Sequence, residues 1–121
     1  MSEMAMPDWT GGQPTITYQR CGGCGAVQYF RRDFCAACGG EELTTIVASG
    51  EGVVCAATLV HRAATAEARA HVPFKIVLVD CAEGFRMMAH GANDLVIGDR
   101  VRAGFTSFTG QLVPMFEKLP R

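Results

Sequence analysis

Cys21-Gly22-Gly23-Cys24, followed after ten residues by Cys35-Ala36-Ala37-Cys38, is the stretch that decides how this chain is read. Each half is a C-x2-C pair. A tetrahedral zinc ion takes four thiolates, and a C-x2-C turn lets two sulfurs converge on one ion at about 2.3 Å. Gly25 and Gly39 each follow the second cysteine of a pair. A glycine there lets the backbone turn back beneath the metal with its amides facing the sulfurs. The pattern therefore predicts a zinc ribbon with Cys21, Cys24, Cys35 and Cys38 as ligands. Two disulfides or a reduced, metal-free set are the competing readings. An iron centre built on such knuckles usually has a wider gap and a proline in the knuckle, and neither occurs here.

Outward from the quartet, Tyr18, Tyr29, Phe30 and Phe34 are interleaved with the ligands in a ribbon spanning 18–44. Arg20, Arg31 and Arg32 balance Asp33, Glu41 and Glu42, so four thiolates and one zinc ion leave the unit net negative. So small a unit has almost no core, and zinc must supply most of its folding energy. Before it, residues 1–17 hold three Met, two Pro, two Gly and Trp9, the single Trp of the chain, without periodicity. They read as an arm ordered by docking, with Trp9 as anchor, either on a partner or on the chain's own domain. Cys55 and Cys81 lie in apolar, strand-like runs with no neighbouring group to lower a thiol pKa. They are expected to be small buried hydrophobes.

From residue 45 to 121 the chain reads as β-structure. Expected strands are Thr44–Ser49, Val53–His61, Val72–Cys81, Phe85–His90, Arg100–Phe108 and Leu112–Phe116, with turns at Ala82-Glu83-Gly84 and Thr109-Gly110. The run Ile76-Val77-Leu78-Val79 is apolar on both faces, as in a central strand. Residues 93–98 form a helical turn or loop. Short strands with turn signals every 8 to 12 residues predict a small closed barrel. The Ala-rich segment Arg62–Ala70 is too long for a tight hairpin, and it protrudes as a loop or short helix, either functional or a bland surface loop. The fold class is thus mainly β: an N-terminal zinc ribbon followed by a small barrel of five or six short strands.

Composition narrows the partners. Of 121 residues, 49% are hydrophobic and 19% charged, which excludes a disordered tail and allows one modest core. The net charge of −1 argues against non-specific binding to nucleic acid or acidic membranes. The longest apolar run, Val53–Val60, is far short of a bilayer span of roughly 20 residues. No basic start followed by an apolar run opens the chain, so a cytoplasmic, reducing location is expected.

The cysteine quartet, Gly50-Glu51-Gly52-Val53-Val54, Val60-His61-Arg62 and Val72-Pro73-Phe74 recur in order along one chain. They are followed by Val79-Asp80-Cys81-Ala82-Glu83-Gly84, Ile97-Gly98-Asp99-Arg100-Val101 and Val113-Pro114-Met115-Phe116. This ordered set resembles the DUF35 family, the acyl-CoA-associated zinc-ribbon/OB-fold proteins, over residues 18 to about 118. The resemblance implies a rubredoxin-like zinc ribbon, a five-stranded OB-fold barrel and a non-catalytic subunit. Its partner would be a thiolase-fold enzyme, with CoA or acyl-CoA shared between them, in β-ketoacyl-CoA thiolysis and plausibly in aromatic-compound degradation. Family partners also include sterol side-chain aldolases and enoyl-CoA hydratases. The arm is shorter than the helical extension of many members.

The residues agree with a binding role. Claisen cleavage needs a cysteine nucleophile with acid–base groups, and no such set stands out; four thiolates leave zinc no open position. His61, His71 and His90 lack ligand or dyad spacing and read as strand-end or surface histidines. CoA carries three phosphate groups, which guanidinium groups beside an apolar surface would hold. Arg31, Arg32 and Phe34 on the ribbon, with Arg62 and Arg69 on the protruding loop, are the CoA-contact candidates; solvated surface charge is the alternative for each arginine. A single-stranded nucleic-acid module is the rival, since OB barrels bind such strands. The barrel carries eight Lys and Arg against seven Asp and Glu, too even for a basic groove.

Overall fold

The computed structural model describes residues 7–119. Three strands precede the barrel: β1 (Thr17–Cys21), β2 (Val27–Gln28) and β3 (Leu43–Val47). They form an antiparallel sheet in the order β2-β1-β3. The strand expected at Thr44–Ser49 therefore exists, but it belongs to the ribbon sheet and not to the barrel. Its register explains why. Tyr18 lies opposite Ile46 and Cys21 opposite Leu43, so β3 is laddered along the whole of β1.

Five further strands close the barrel: β4 (Glu51–Val60), β5 (Phe74–Cys81), β6 (Arg86–Gly91), β7 (Arg100–Phe108) and β8 (Gln111–Lys118). Their order is β4-β5-β6-β8-β7, with β7 returning to β4 through Glu51–Val53 against Arg100–Arg102. Every pairing is antiparallel except β6 with β8, which run parallel at His90↔Met115 and Gly91↔Phe116. This five-strand closure is that of an OB-fold. β4 serves both β5 and β7 because a bulge between Val54 and Ala56 bends it. Gly52 makes the closure possible. A Cβ there would meet the Asp80 carbonyl oxygen at 2.5 Å, so only glycine admits the neighbouring backbone.

Alternation places Val77, Val79 and Cys81 of β5, and Met87 and Ala89 of β6, inside the barrel. Val54, Val101, Phe116 and the loop residue Leu95 complete its centre. Burying each of these large aliphatic or aromatic side chains contributes roughly 1.5–3 kcal/mol. The segment between β4 and β5 holds one helical turn, α1 (Ala66–Arg69), whose first turn is capped by the Thr65 hydroxyl accepting from the Ala68 amide at 3.1 Å. Among the described residues, no helix is long and apolar enough to cross a membrane.

The ribbon is not hung on a free linker. Phe85, at the β5–β6 turn, stacks against Tyr18 at 5.1 Å and Tyr29 at 5.4 Å. The Ala48 amide donates to the Ile16 carbonyl at 2.8 Å, and the Ser49 amide to Glu83 Oε2 at 2.7 Å. Of the two dockings open to the arm, Trp9 takes the one on its own chain: its indole N–H donates to the Tyr29 hydroxyl at 2.9 Å. Asp8 is buried beneath it and accepts from the Thr10 and Thr17 hydroxyls, with Arg31 at 3.3 Å. The three methionines of the arm lie outside the described residues.

Candidate metal centre

Each cysteine pair sits on a turn shaped by its glycine. Gly25 has φ +78° and Gly39 φ +79°, a left-handed conformation that other residues adopt only with strain. The amides of these two glycines donate to the carbonyls of Cys21 and Cys35, at 2.9 and 2.8 Å, rather than to sulfur. Amides that face sulfur include Gly23 onto Cys21 and Ala37 onto Cys35, both at 3.3 Å, and Gly40 onto Cys38 at 3.4 Å. The glycines thus turn the backbone so that neighbouring amides face the sulfurs, as the sequence predicts.

The four sulfurs lie within 4.8 Å of one another. Across the two knuckles, Cys21 Sγ is 3.6 Å from Cys38 Sγ and Cys24 Sγ is 3.7 Å from Cys35 Sγ. Four sulfurs bound tetrahedrally at about 2.3 Å stand about 3.8 Å apart, so the cage has the size of a zinc site. Disulfides are excluded by these separations, since a bonded pair lies at about 2.0 Å.

The electrostatics ask for a cation as well. N–H groups of Cys38 and Ala37 pull the Cys35 thiol down to about 6. The Cys24 and Gly23 amides lower that of Cys21. Cys38 moves the opposite way: the Gly40 amide favours its thiolate, but sharing the cage with Cys24, Cys21 and Cys35 pushes it up to about 12. Four sulfurs this close cannot all ionise beside one another. A divalent ion removes that conflict and leaves four protein ligands with no open coordination position, as in a structural zinc centre.

The CoA-contact candidates fall into two groups. Phe34 is 51% exposed on the ribbon and Arg32 is exposed beside it. Arg62 and Arg69 are exposed on the β4–β5 segment, with Arg69 Nε donating to the Ala63 carbonyl at 3.3 Å. Arg31 is held differently from the others, on Asp8 and on the Thr17 hydroxyl at 3.3 Å. Burial acts to raise the Asp8 carboxyl, but hydrogen bonds from Thr10 and Thr17 and the Arg31 charge outweigh it and leave Asp8 below the usual range. Cys81 is buried and its thiol is pushed up to about 12 by that burial, as a core cysteine should be. Cys55 is only half-buried; it stands at the β4 bulge and donates to the Leu78 carbonyl at 3.3 Å.

Two features were missed in the sequence. His71 and His90 are not isolated: Phe108 contacts both, at 4.7 and 4.3 Å, and Phe74 at 5.0 Å. Burial and then the neighbouring His71 lower the His90 pKa. This cluster sits on the outer face of β5 and β6, between the β4–β5 segment and the β7–β8 turn, where OB-folds receive ligands. The second feature is a pair of glutamines, Gln19 and Gln28, that grip the second knuckle. Neither feature has a local sequence signature, since together they join residues 6 to 37 positions apart.

Two family models match adjoining parts of the chain, together residues 9–106. Residues 9–44 match the ChsH2 rubredoxin-like zinc ribbon domain, and residues 45–106 match the ChsH2 C-terminal OB-fold domain. Among solved structures, the one described as the Ltp2-ChsH2(DUF35) aldolase is similar at 22% identity and a TM-score of 0.72, covering 86% of this chain and 84% of that chain. A DUF35-family protein of unknown function from Sulfolobus solfataricus is similar at 17% identity and a TM-score of 0.59, covering 87% of this chain and 76% of that chain. No protein of curated function gives a significant sequence match.

Proposed function

We propose that this chain, which belongs to the DUF35 family through its ChsH2-type zinc ribbon and OB-fold, is a non-catalytic subunit that binds a thiolase-fold enzyme and helps hold its CoA substrate. The observation that carries the reading is the unbroken succession of the two ChsH2 domain matches over residues 9–106. The donor set agrees with it, because a four-thiolate centre is coordinatively closed and serves structure rather than turnover.

In this reading the ribbon and the barrel face the partner's active-site mouth together, and the arm braces them through Asp8 and Trp9. Arg32 and Phe34 from one side, and Arg62 and Arg69 from the other, hold the nucleotide end of CoA. Arg31 shares its charge with Asp8 and takes the lesser part. Binding energy collected at that remote end orients the thioester on the partner. The location is cytoplasmic, where the thiolates stay reduced.

Thiolysis of a β-ketoacyl-CoA in aromatic degradation, with this chain in the place of the small subunit of benzoylsuccinyl-CoA thiolase, is the first form of the reading. Aldol cleavage of a sterol side chain is the second, favoured by the similar structure described as an Ltp2-ChsH2 aldolase. The two differ in stoichiometry, because thiolysis consumes one free CoA per bond broken and retro-aldol cleavage consumes none. The contact assignment is tested by titrating CoA into the complex isolated through this chain. Arg32→Ala and Arg62→Ala should each weaken binding roughly tenfold, the worth of one charge-assisted phosphate contact. Parent affinity in both variants refutes the assignment.

A further inference from the structure

The two knuckles are supported unequally. Cys21 ends β1 and lies opposite Leu43 of β3, and the neighbouring Gly22 amide donates to the Glu42 carbonyl at 2.7 Å. The sheet itself therefore fixes the first knuckle. The second lies in residues 29–42, which contain no strand.

Its backbone is held by two side-chain amides projecting from the sheet. Gln19, 7% exposed on β1, donates through Nε2 to the Arg32 carbonyl at 3.1 Å and accepts at Oε1 from the Arg32 amide at 3.0 Å. It thus pairs with both polar groups of one residue, as a neighbouring strand would. Gln28 stands opposite Gln19 in the β1–β2 register. It donates to Gln19 Oε1 at 2.7 Å and, more weakly, to the Phe34 carbonyl at 3.4 Å, and it accepts from the Ala36 amide at 3.0 Å. Residues 32, 34 and 36 are thus tied on alternate positions up to and into the Cys35–Cys38 turn.

We infer that Gln19 and Gln28 are positioning residues for the metal, a side-chain clamp that holds the second knuckle at coordinating distance and substitutes for the strand this half of the ribbon lacks. Groups that orient ligands without touching the ion typically change metal affinity 10- to 100-fold when removed. The inference concerns metal retention and stands apart from the partner reading.

The test uses the zinc-loaded full chain. Gln28→Met keeps the side-chain length and removes the amide; because Gln19 is buried and Gln28 half-buried, Gln28→Met is the primary variant and Gln19→Met the second. Zinc transfer to a chromophoric chelator should be about tenfold faster or more in each. Iodoacetamide, with the sites resolved by mass spectrometry, should label Cys35 and Cys38 ahead of Cys21 and Cys24. Transfer at the parent rate in Gln28→Met, or equal labelling of all four cysteines, overturns the clamp.

Discussion

In the barrel, Val54, Val77, Val79, Met87, Val101 and Phe116 stack behind a ladder that closes on itself. In the ribbon, the sheet has three short strands, and the residues gathered at its far end are four cysteines and two glutamines. One region excludes water by volume of hydrocarbon, and the other depends on a few directional bonds around an ion. Small β-units without a core need such a staple. The contrast teaches that one chain can rest one part on a hydrocarbon core and another on the geometry of a thiolate cage, the two joined by the Tyr18–Phe85–Tyr29 stack.

The largest effect should come from removing the metal. Zinc binding in isolated fingers is worth about 10–16 kcal/mol, far beyond any side-chain deletion. After chelation, amide hydrogen exchange should lose protection across 17–47 while 51–118 keep theirs. Simultaneous loss in both segments would erase the distinction between the regions. Next in size is the barrel's own core. Phe116 is 0% exposed, and Phe116→Ala should cost about 3–5 kcal/mol, read by denaturant unfolding, with the zinc content of the folded fraction unchanged.

A smaller effect is expected at the junction. Phe85→Leu removes two ring stacks, each worth about 0.5–1.5 kcal/mol beyond area burial. Exchange should quicken at Tyr18 and Tyr29 more than in the strands of the barrel; equal quickening everywhere would mean that Phe85 belongs to the barrel alone. The smallest effect is at Asp8. Its carboxyl is depressed in the folded chain, so its contribution is complete above the ordinary aspartate value of about 3.9 and disappears as the pH falls through the lower folded value. A loss of stability on acidification in the parent, smaller in Asp8→Asn, is the expected signature in pH-dependent melting.

The metal centre was legible in the sequence because its information is local: two C-x2-C turns and two glycines that can adopt a positive φ. The barrel was legible for a related reason. Alternation along Phe74–Cys81 and Arg86–Gly91, with turn residues between them, marks hairpins at short range. What escaped depends on pairings that sequence distance conceals. β3 has the composition of a barrel strand, and only its register with β1 assigns it to the ribbon. Gln19 and Gln28 look like ordinary polar strand residues until the 29–42 segment folds across them. His71, His90 and Phe108 come from three separate segments, so no spacing rule could place them together.

The measurement that bears most directly on the account is reconstitution. The tagged chain is isolated from its native host, the co-purifying protein is identified by mass spectrometry, and CoA-thioester cleavage is assayed for each component and for the recombined pair. The account predicts a thiolase-fold partner in stoichiometric amount and cleavage that requires the pair, with none from this chain alone. Cleavage by the chain alone, or recovery of single-stranded nucleic acid without such a partner, would contradict it.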